Sequence, residues 1–328
     1  DDIVNVFDTS RVTTNMFNKA TRNYVEFYSF FAIDIEYIVR KLAAQKTTRL
    51  GKRGYIKMQE ALYEQTWLSG LSENHPSIFN KSKLKEVKFD LLKHQAEFID
   101  YYDRVIPKYR LRGILMAATP GSGKTISAIA IACAFEASNV IIVAPKNSVF
   151  RVWEKTLQED MNVPQTSWVH ASKKTMPDPS QNRWYIFHYE ALGDAISLAS
   201  KLGSKKCVVV LDESHNLNEM KSLRTERFVS MCKSMSNSIV VELSGTPMKA
   251  MGAEAIPLIS AIDPMFNDKC VEKFKKIYGR EAKAATSILA NRLGIIMYKV
   301  NKEESKIEEP VEHTLKVKVA NAERFTLE

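Results

Sequence analysis

Little in this chain provides for cross-linking by disulfide or metal. Its 328 residues include four cysteines, Cys133, Cys207, Cys232 and Cys270, and no two are spaced as a C-x-x-C pair. Thiols scattered in this way are those of buried side chains in a reducing compartment. The six histidines lack ligand spacing too, so no structural zinc is expected. With 12 glycines and 11 prolines, collagen-like and linker-dominated chains are excluded. The longest nearly apolar run, Ile126 to Phe135, has about half the length needed to span a bilayer. The opening Asp1-Asp2-Ile3-Val4 carries no basic stretch followed by an apolar one. No signal peptide and no membrane partner are therefore expected, and the chain should be intracellular. It does not begin with Met, so a fragment or processed form is the expectation.

What is present suits a soluble globular protein, with 45% hydrophobic and 26% charged residues. The length leaves room for two or three domains at ~100–200 residues each. Against 38 acidic residues stand 47 Lys and Arg, a net charge of +9. A basic balance favours a polyanionic partner.

Two regions meet near residues 80–90. In the first, Phe27, Phe31, Ile35, Ile38 and Leu42 recur at helical spacing and predict one core-facing helical stripe. A second helix is predicted over Lys57 to Leu68, after a turn at Gly51–Gly54. Between them, Arg40, Lys41, Lys46, Arg49, Lys52, Arg53 and Lys57 follow one another with no intervening acid. Such a run is either a solvated surface or a loop that gains by releasing counterions from a polyanion. From about residue 88, strands alternate with helices. Strands are predicted at Ile114–Ala117, Asn139–Val143, Trp184–Phe187, Cys207–Leu211 and Ser238–Leu243. Helices are predicted at Lys124–Phe135 and near Val149–Gln158, Ala191–Lys201, Leu223–Ser234 and Glu254–Ile262. Alternation of this kind, with continuously apolar strands, implies an α/β fold with a parallel sheet covered on both faces.

Two segments carry the chemistry. Ala118-Thr119-Pro120-Gly121-Ser122-Gly123-Lys124-Thr125 follows a strand and opens a helix, the context of a phosphate-binding loop. Gly121 and Gly123 let the backbone turn its N–H groups inward, where they and the helix N-terminus favour phosphate oxygens. Lys124 would reach the β- and γ-phosphates, and the Thr125 hydroxyl would ligate Mg²⁺. Ala118 stands where the pattern has its first glycine. The second segment, Val208-Val209-Val210-Leu211-Asp212-Glu213-Ser214-His215, places two carboxylates at the end of a buried strand, where parallel sheets bind ligands. Asp212 would hold Mg²⁺, whose charge offsets the repulsion of the adjacent acids, and Glu213 would orient or deprotonate a water.

With these residues the chain resembles the superfamily-two helicases and translocases. Asp212-Glu213-Ser214-His215 is similar to their Asp-Glu-Ala-His box. Leu243-Ser244-Gly245-Thr246-Pro247-Met248 resembles the motif that links the ATP site to the nucleic-acid track. His94-Gln95 resembles the motif that reads adenine, and Ala144-Pro145-Lys146 the one that touches the nucleic-acid backbone. Trp153 with Glu154, Tyr189-Glu190-Ala191-Leu192 after His188, Asp263-Pro264 with Phe274 and Tyr278, and Met297-Tyr298-Lys299 resemble the SWI/SNF-like branch. Val300 stands where that branch usually has a second Arg.

The resemblance implies a RecA-like P-loop NTPase lobe over residues 86–310, with a helical accessory domain over 1–85 and the start of a connection to a second lobe over 311–328. It implies an ATP-dependent DNA motor with ATP and Mg²⁺, Gln95 in the nucleotide site, and Lys146, His188, Tyr189 and Thr246 along the track. Duplex or branched DNA is the expected partner, with Lys46, Arg49, Lys52 and Arg53 extending the footprint. An RNA-dependent ATPase and an ATP-binding scaffold whose helical region docks a partner are the alternatives. The family's second-lobe motif with its catalytic arginines is not found here.

Overall fold

A computed structural model of the protein describes residues 16–20, 24–44, 51–146, 148–161, 168–170, 182–217, 222–245, 255–278, 292 and 294–300. The main sheet has seven strands: β3 (Gly113–Ala118), β4 (Asn139–Ala144), β5 (Trp168–His170), β6 (Trp184–His188), β7 (Cys207–Leu211), β8 (Ser238–Ser244) and β9 (Met297–Val300). They lie in the order β5-β6-β4-β7-β8-β3-β9, and every pairing is parallel. Each residue of β3, β4, β7 and β8 is buried. Runs such as Cys-Val-Val-Val-Leu therefore show no polar alternation, because helices cover both faces.

Those helices are α3 (Lys93–Tyr109), α4 (Lys124–Ala134), α5 (Ser148–Glu159), α6 (Leu192–Leu202), α7 (Leu223–Ser234), α8 (Ala255–Ile262) and α9 (Asp268–Tyr278). Helix α4 is buried along almost its whole length, as its all-round apolar sequence requires. Ahead of the sheet lie a hairpin, β1 (Phe17–Ala20) with β2 (Val25–Phe27), and two helices, α1 (Ala32–Ala43) and α2 (Gly51–Gln65), which pack on each other. Among the described residues no helix is long and apolar enough to cross a membrane.

Three expectations for the N-terminal region are corrected. The five-residue stripe is not one helix: Phe27 pairs with Phe17 in the hairpin, Phe31 closes a 3-10 turn, and Ile35, Ile38 and Leu42 lie on α1. Gly51 to Gly54 form the first turn of α2, because Tyr55 and Leu62, seven residues apart, are buried and hold that helix down. Tertiary packing there outweighs the low helix propensity of glycine. Helix α2 also ends at Gln65, and a 3-10 helix over Trp67–Ser72 follows. At the start of the basic run Arg40 donates to Glu36, one turn earlier on α1, at 2.6 Å.

The segment joining this region to the sheet is tightly packed. Trp67 Nε1 donates to the Ser29 carbonyl at 2.9 Å, and the Trp67 ring meets Tyr109 edge-on. Phe79 stacks on Tyr102, and Asn80 N–H donates to Ala134 at 2.7 Å. Period-two and period-3.6 patterns did not reveal the short strands β1, β2, β5 and β9, whose hydrophobic signal is only a few residues long, and helices α3 and α9 were not predicted either.

Candidate active site

Sheet order brings the two chemical segments together. The glycine turn follows β3 and the acidic pair follows β7, with β8 between them. Gly121 and Gly123 take left-handed φ values of 82° and 78°. A Cβ on Gly123 would lie 2.2 Å from Gln95 Nε2, so this turn requires glycine. Helix α4 begins at Lys124, directing its first N–H groups toward the turn. Helix α3 buttresses the turn from behind. His94 Nε2 lies 2.8 Å from the Ser122 carbonyl, and Gln95 Nε2 donates to the Gly123 carbonyl at 3.2 Å.

Lys124 is 9% exposed, and its ammonium donates to the carbonyls of Ala118 (3.0 Å) and Thr119 (3.3 Å). Burial lowers its pKa, against the opposing pull of the negative charges of Glu213 and Asp212. Those carboxylates thus act on the lysine across the site. Gly245, just after β8, bridges the gap. A Cβ there would be 3.7 Å from Lys124 Nζ, while its own N–H donates to Glu213 Oε2 at 3.4 Å.

The acidic pair is held from several sides. Asp212 Oδ2 accepts the indole N–H of Trp153 at 2.8 Å, and Oδ1 accepts the Glu213 N–H at 2.9 Å. Burial raises the Asp212 pKa, and the Trp153 hydrogen bond works the other way. Glu213 has a φ of 49°, a left-handed conformation uncommon outside glycine. The Tyr189 hydroxyl donates to the carbonyls of both Asp212 and Glu213. His215 Nδ1 lies 3.4 Å from Glu213 Oε2 and 3.3 Å from Ser244 Oγ, tying the pair to the end of β8.

The donor set fits a nucleotide with a divalent ion. The hydroxyls of Thr119 and Ser122, both in the turn, and of Ser214, beside the acids, are buried with no hydrogen-bond partner. Buried orphan hydroxyls are uncommon, and phosphate oxygens are acceptors such groups can donate to. Among the described residues no three His, Cys, Asp or Glu side chains converge as a metal cage. One carboxylate, Asp212, and one hydroxyl, Thr125 on the first turn of α4, instead suit Mg²⁺, which is usually held by few protein ligands plus substrate phosphates.

The residues expected along a nucleic-acid track divide. Lys146 is exposed just past β4, and His188 ends the adjacent strand β6, with Ala144 paired to His188. Tyr189 is turned inward: it is 5% exposed and its hydroxyl is spent on the acidic pair, so its expected place on the track is corrected. Lys52 and Arg53 are exposed on the first turn of α2. Thr246, Lys46 and Arg49 lie outside the described residues. Trp153 belongs to the site and was not expected in it, whereas Gly245 lies in the motif expected to link the ATP site to the track. The lone tryptophan in an otherwise amphipathic helix was the available signal.

Residues 88–249 match the family model described as "Type III restriction enzyme, res subunit". The SWI/SNF-related matrix-associated actin-dependent regulator of chromatin subfamily A-like protein 1 of Xenopus laevis is 28% identical over 153 residues, 47% of this chain and 15% of that protein. Its Bos taurus counterpart is 30% identical over 156 residues, 47% of this chain and 16% of the relative. The chain thus spans a small part of the length of the curated relatives it matches. Among solved structures, the Sulfolobus solfataricus SWI2/SNF2 ATPase core in complex with dsDNA superposes with a TM-score of 0.54 at 17% identity, covering 66% of this chain and 45% of that one. At that identity the likeness speaks for the fold alone. Over residues 88–249, which hold Lys124 and Asp212, the chain is thus similar to that family model, and over about half of its length it is similar to these SWI/SNF-related relatives.

Proposed function

We propose that this chain is the first motor lobe of an ATP-driven DNA translocase or helicase, an enzyme that couples ATP hydrolysis to movement along, or remodelling of, duplex or branched DNA. The observation that carries the reading is the convergence of Lys124, Glu213 and Gly245 at the ends of three neighbouring strands. In this reading residues 86–310 form the lobe, 1–85 an accessory region, and 311–328 lead toward a second lobe. A setting inside the cell, in contact with nucleoid or chromatin, follows from such a substrate.

The roles follow from position. Thr119 to Thr125 would cradle the phosphates of ATP, and Lys124 would exchange its carbonyl partners for β- and γ-phosphate oxygens. Gln95, from behind the turn, would sense the base, and Thr125 and Asp212 would hold Mg²⁺. When bound, that ion neutralises charge on the transferring phosphoryl group. Glu213, steadied by the Gly245 N–H and facing His215, would orient the attacking water and accept its proton. Lys146 and His188 would line the track and contact phosphate without reading sequence.

The test is ATP turnover by the full-length protein with no polymer, duplex DNA, single-stranded DNA, branched DNA and RNA. Stimulation by duplex or branched DNA is expected. Lys124→Ala should abolish turnover, and Glu213→Gln should bind ATP without hydrolysing it. Stimulation by RNA alone would reassign the substrate, and normal turnover in Glu213→Gln would remove that residue from its role.

A further inference from the structure

Asp212 and Glu213 are gripped by residues from two segments that continue directly into the proposed nucleic-acid track. Trp153 lies on α5, which starts just after Lys146. Its ring is 0% exposed, and its single N–H is spent on Asp212 Oδ2 at 2.8 Å. Tyr189 immediately follows His188 and opens the 3-10 turn Tyr189–Ala191. Its hydroxyl donates to both carbonyls of the acidic pair, at the bend where Glu213 has its left-handed φ of 49°. The strands that lead to Lys146 and His188 are neighbours in the sheet, and Asp212 N–H donates to the Val143 carbonyl near the end of the first of them at 2.8 Å. A shift of either segment on gripping a phosphate backbone must therefore move a hydrogen bond to the acidic pair.

We propose that Trp153 and Tyr189 are positioning residues that couple occupancy of the nucleic-acid track to the geometry of the Asp212–Glu213 pair. The proposal rests on the motor reading above. Trp153 holds the one carboxylate oxygen of Asp212 that no backbone N–H claims, which leaves one lone pair on each oxygen for an ion or its water. The indole sets the rotamer of the ion-binding carboxylate before any ion arrives. Tyr189 sets the path of the backbone that aims Glu213. Groups that orient a metal ligand in this way typically change metal affinity about 10–100-fold when removed.

The test is a Mg²⁺ titration of binding of a fluorescent ATP analogue to the full-length protein, with and without saturating duplex DNA. In the parent protein duplex DNA should lower the half-saturating Mg²⁺ concentration about fivefold or more, the lower end of usual site-to-site coupling. Trp153→Phe keeps the ring and removes the donor. It should raise the Mg²⁺ midpoint about tenfold or more and abolish the DNA-induced shift. Nucleotide affinity in EDTA and duplex affinity should stay unchanged, which a merely structural role would not predict. Tyr189→Phe should abolish the shift with a smaller change in the midpoint. Should Trp153→Phe lose its cooperative unfolding transition, Tyr189→Phe decides alone. A variant that retains the full shift overturns the coupling proposal. A parent protein that binds the nucleotide but whose Mg²⁺ midpoint ignores duplex DNA overturns the coupling proposal as well, whereas one that binds no nucleotide overturns the motor reading instead.

Discussion

Arg292 and Asp263 form an ion pair with no solvent access at all. Nε and Nη2 of the arginine meet the same oxygen, Asp263 Oδ2, at 2.9 and 2.7 Å, and both side chains are 0% exposed. The guanidinium also lies over the rings of Trp67 (5.1 Å) and Phe30 (5.9 Å). It therefore fastens the N-terminal region to the residues after α8. Removing one partner of a buried pair leaves a charge with no counterpart, at a cost of about 3–5 kcal/mol. Arg292→Met should lose that much in urea unfolding, and the double variant Arg292→Met/Asp263→Leu should recover a good part of it.

Asp34, on α1 in the same buried region, is pushed by burial from the usual 3.8 up to about 8, with the Arg292 charge pulling the other way. The unfolded chain releases this proton near pH 4, whereas the folded chain keeps it until about pH 8. Between those values the native state binds more protons, so the stability from this group is complete below pH 3.8 and is lost as pH rises toward 8. The loss is at most ~1.4 kcal/mol per pH unit. Asp34→Asn has no such proton to hold. Its urea midpoint, compared with the parent protein's, should improve steadily from pH 4 to pH 8 and level off above.

Gly123→Ala should damage nucleotide binding more than folding. An L-residue at φ 78° costs roughly 1–2 kcal/mol, and the new methyl group would displace Gln95 from the turn. A fluorescent ATP analogue should bind at least about tenfold more weakly, since ~1.4 kcal/mol of lost contact is a factor of ten. Gly203→Ala is the control. Its φ is 58° and nothing lies within 4 Å of the added carbon, so it should lower the melting temperature and leave nucleotide affinity unchanged.

Converting Lys46, Arg49, Lys52 and Arg53 to Ala should weaken duplex binding and flatten its salt dependence. Each lost phosphate contact reduces the slope of log affinity against log salt by about 0.9. Fluorescence anisotropy at four or five salt concentrations reads this directly. An unchanged slope would leave the run as a solvated surface.

Much of the lobe was legible because its strands are apolar throughout and its helices obey one period. Cys207–Leu211 and Leu223–Ser234 form where their patterns predict, and Asn139–Val143 is extended by one residue. The glycine turn and the acidic pair were legible because phosphate chemistry restricts which residues work at each place. The inward turn of Tyr189 was not, since a tyrosine after a strand reads equally as surface or core until its neighbours are known. Trp153 was visible as a residue but not as a partner of Asp212, 59 positions away. The N-terminal hairpin escaped for a local reason: three- and four-residue strands leave no period to detect.

The position of β3 has a consequence for the newly made chain. Its two neighbours, β8 and β9, are both synthesised long after it, with Ile114 beside Val241 and Leu115 beside Met297. Until the ribosome has passed Ser244, the strand that leads into the glycine turn has no place in the sheet. Contacts this distant in sequence form late and slowly. A nascent or truncated chain that stops earlier carries every residue of the phosphate loop, yet it presents β3 as an unpaired apolar segment, an edge open to aggregation.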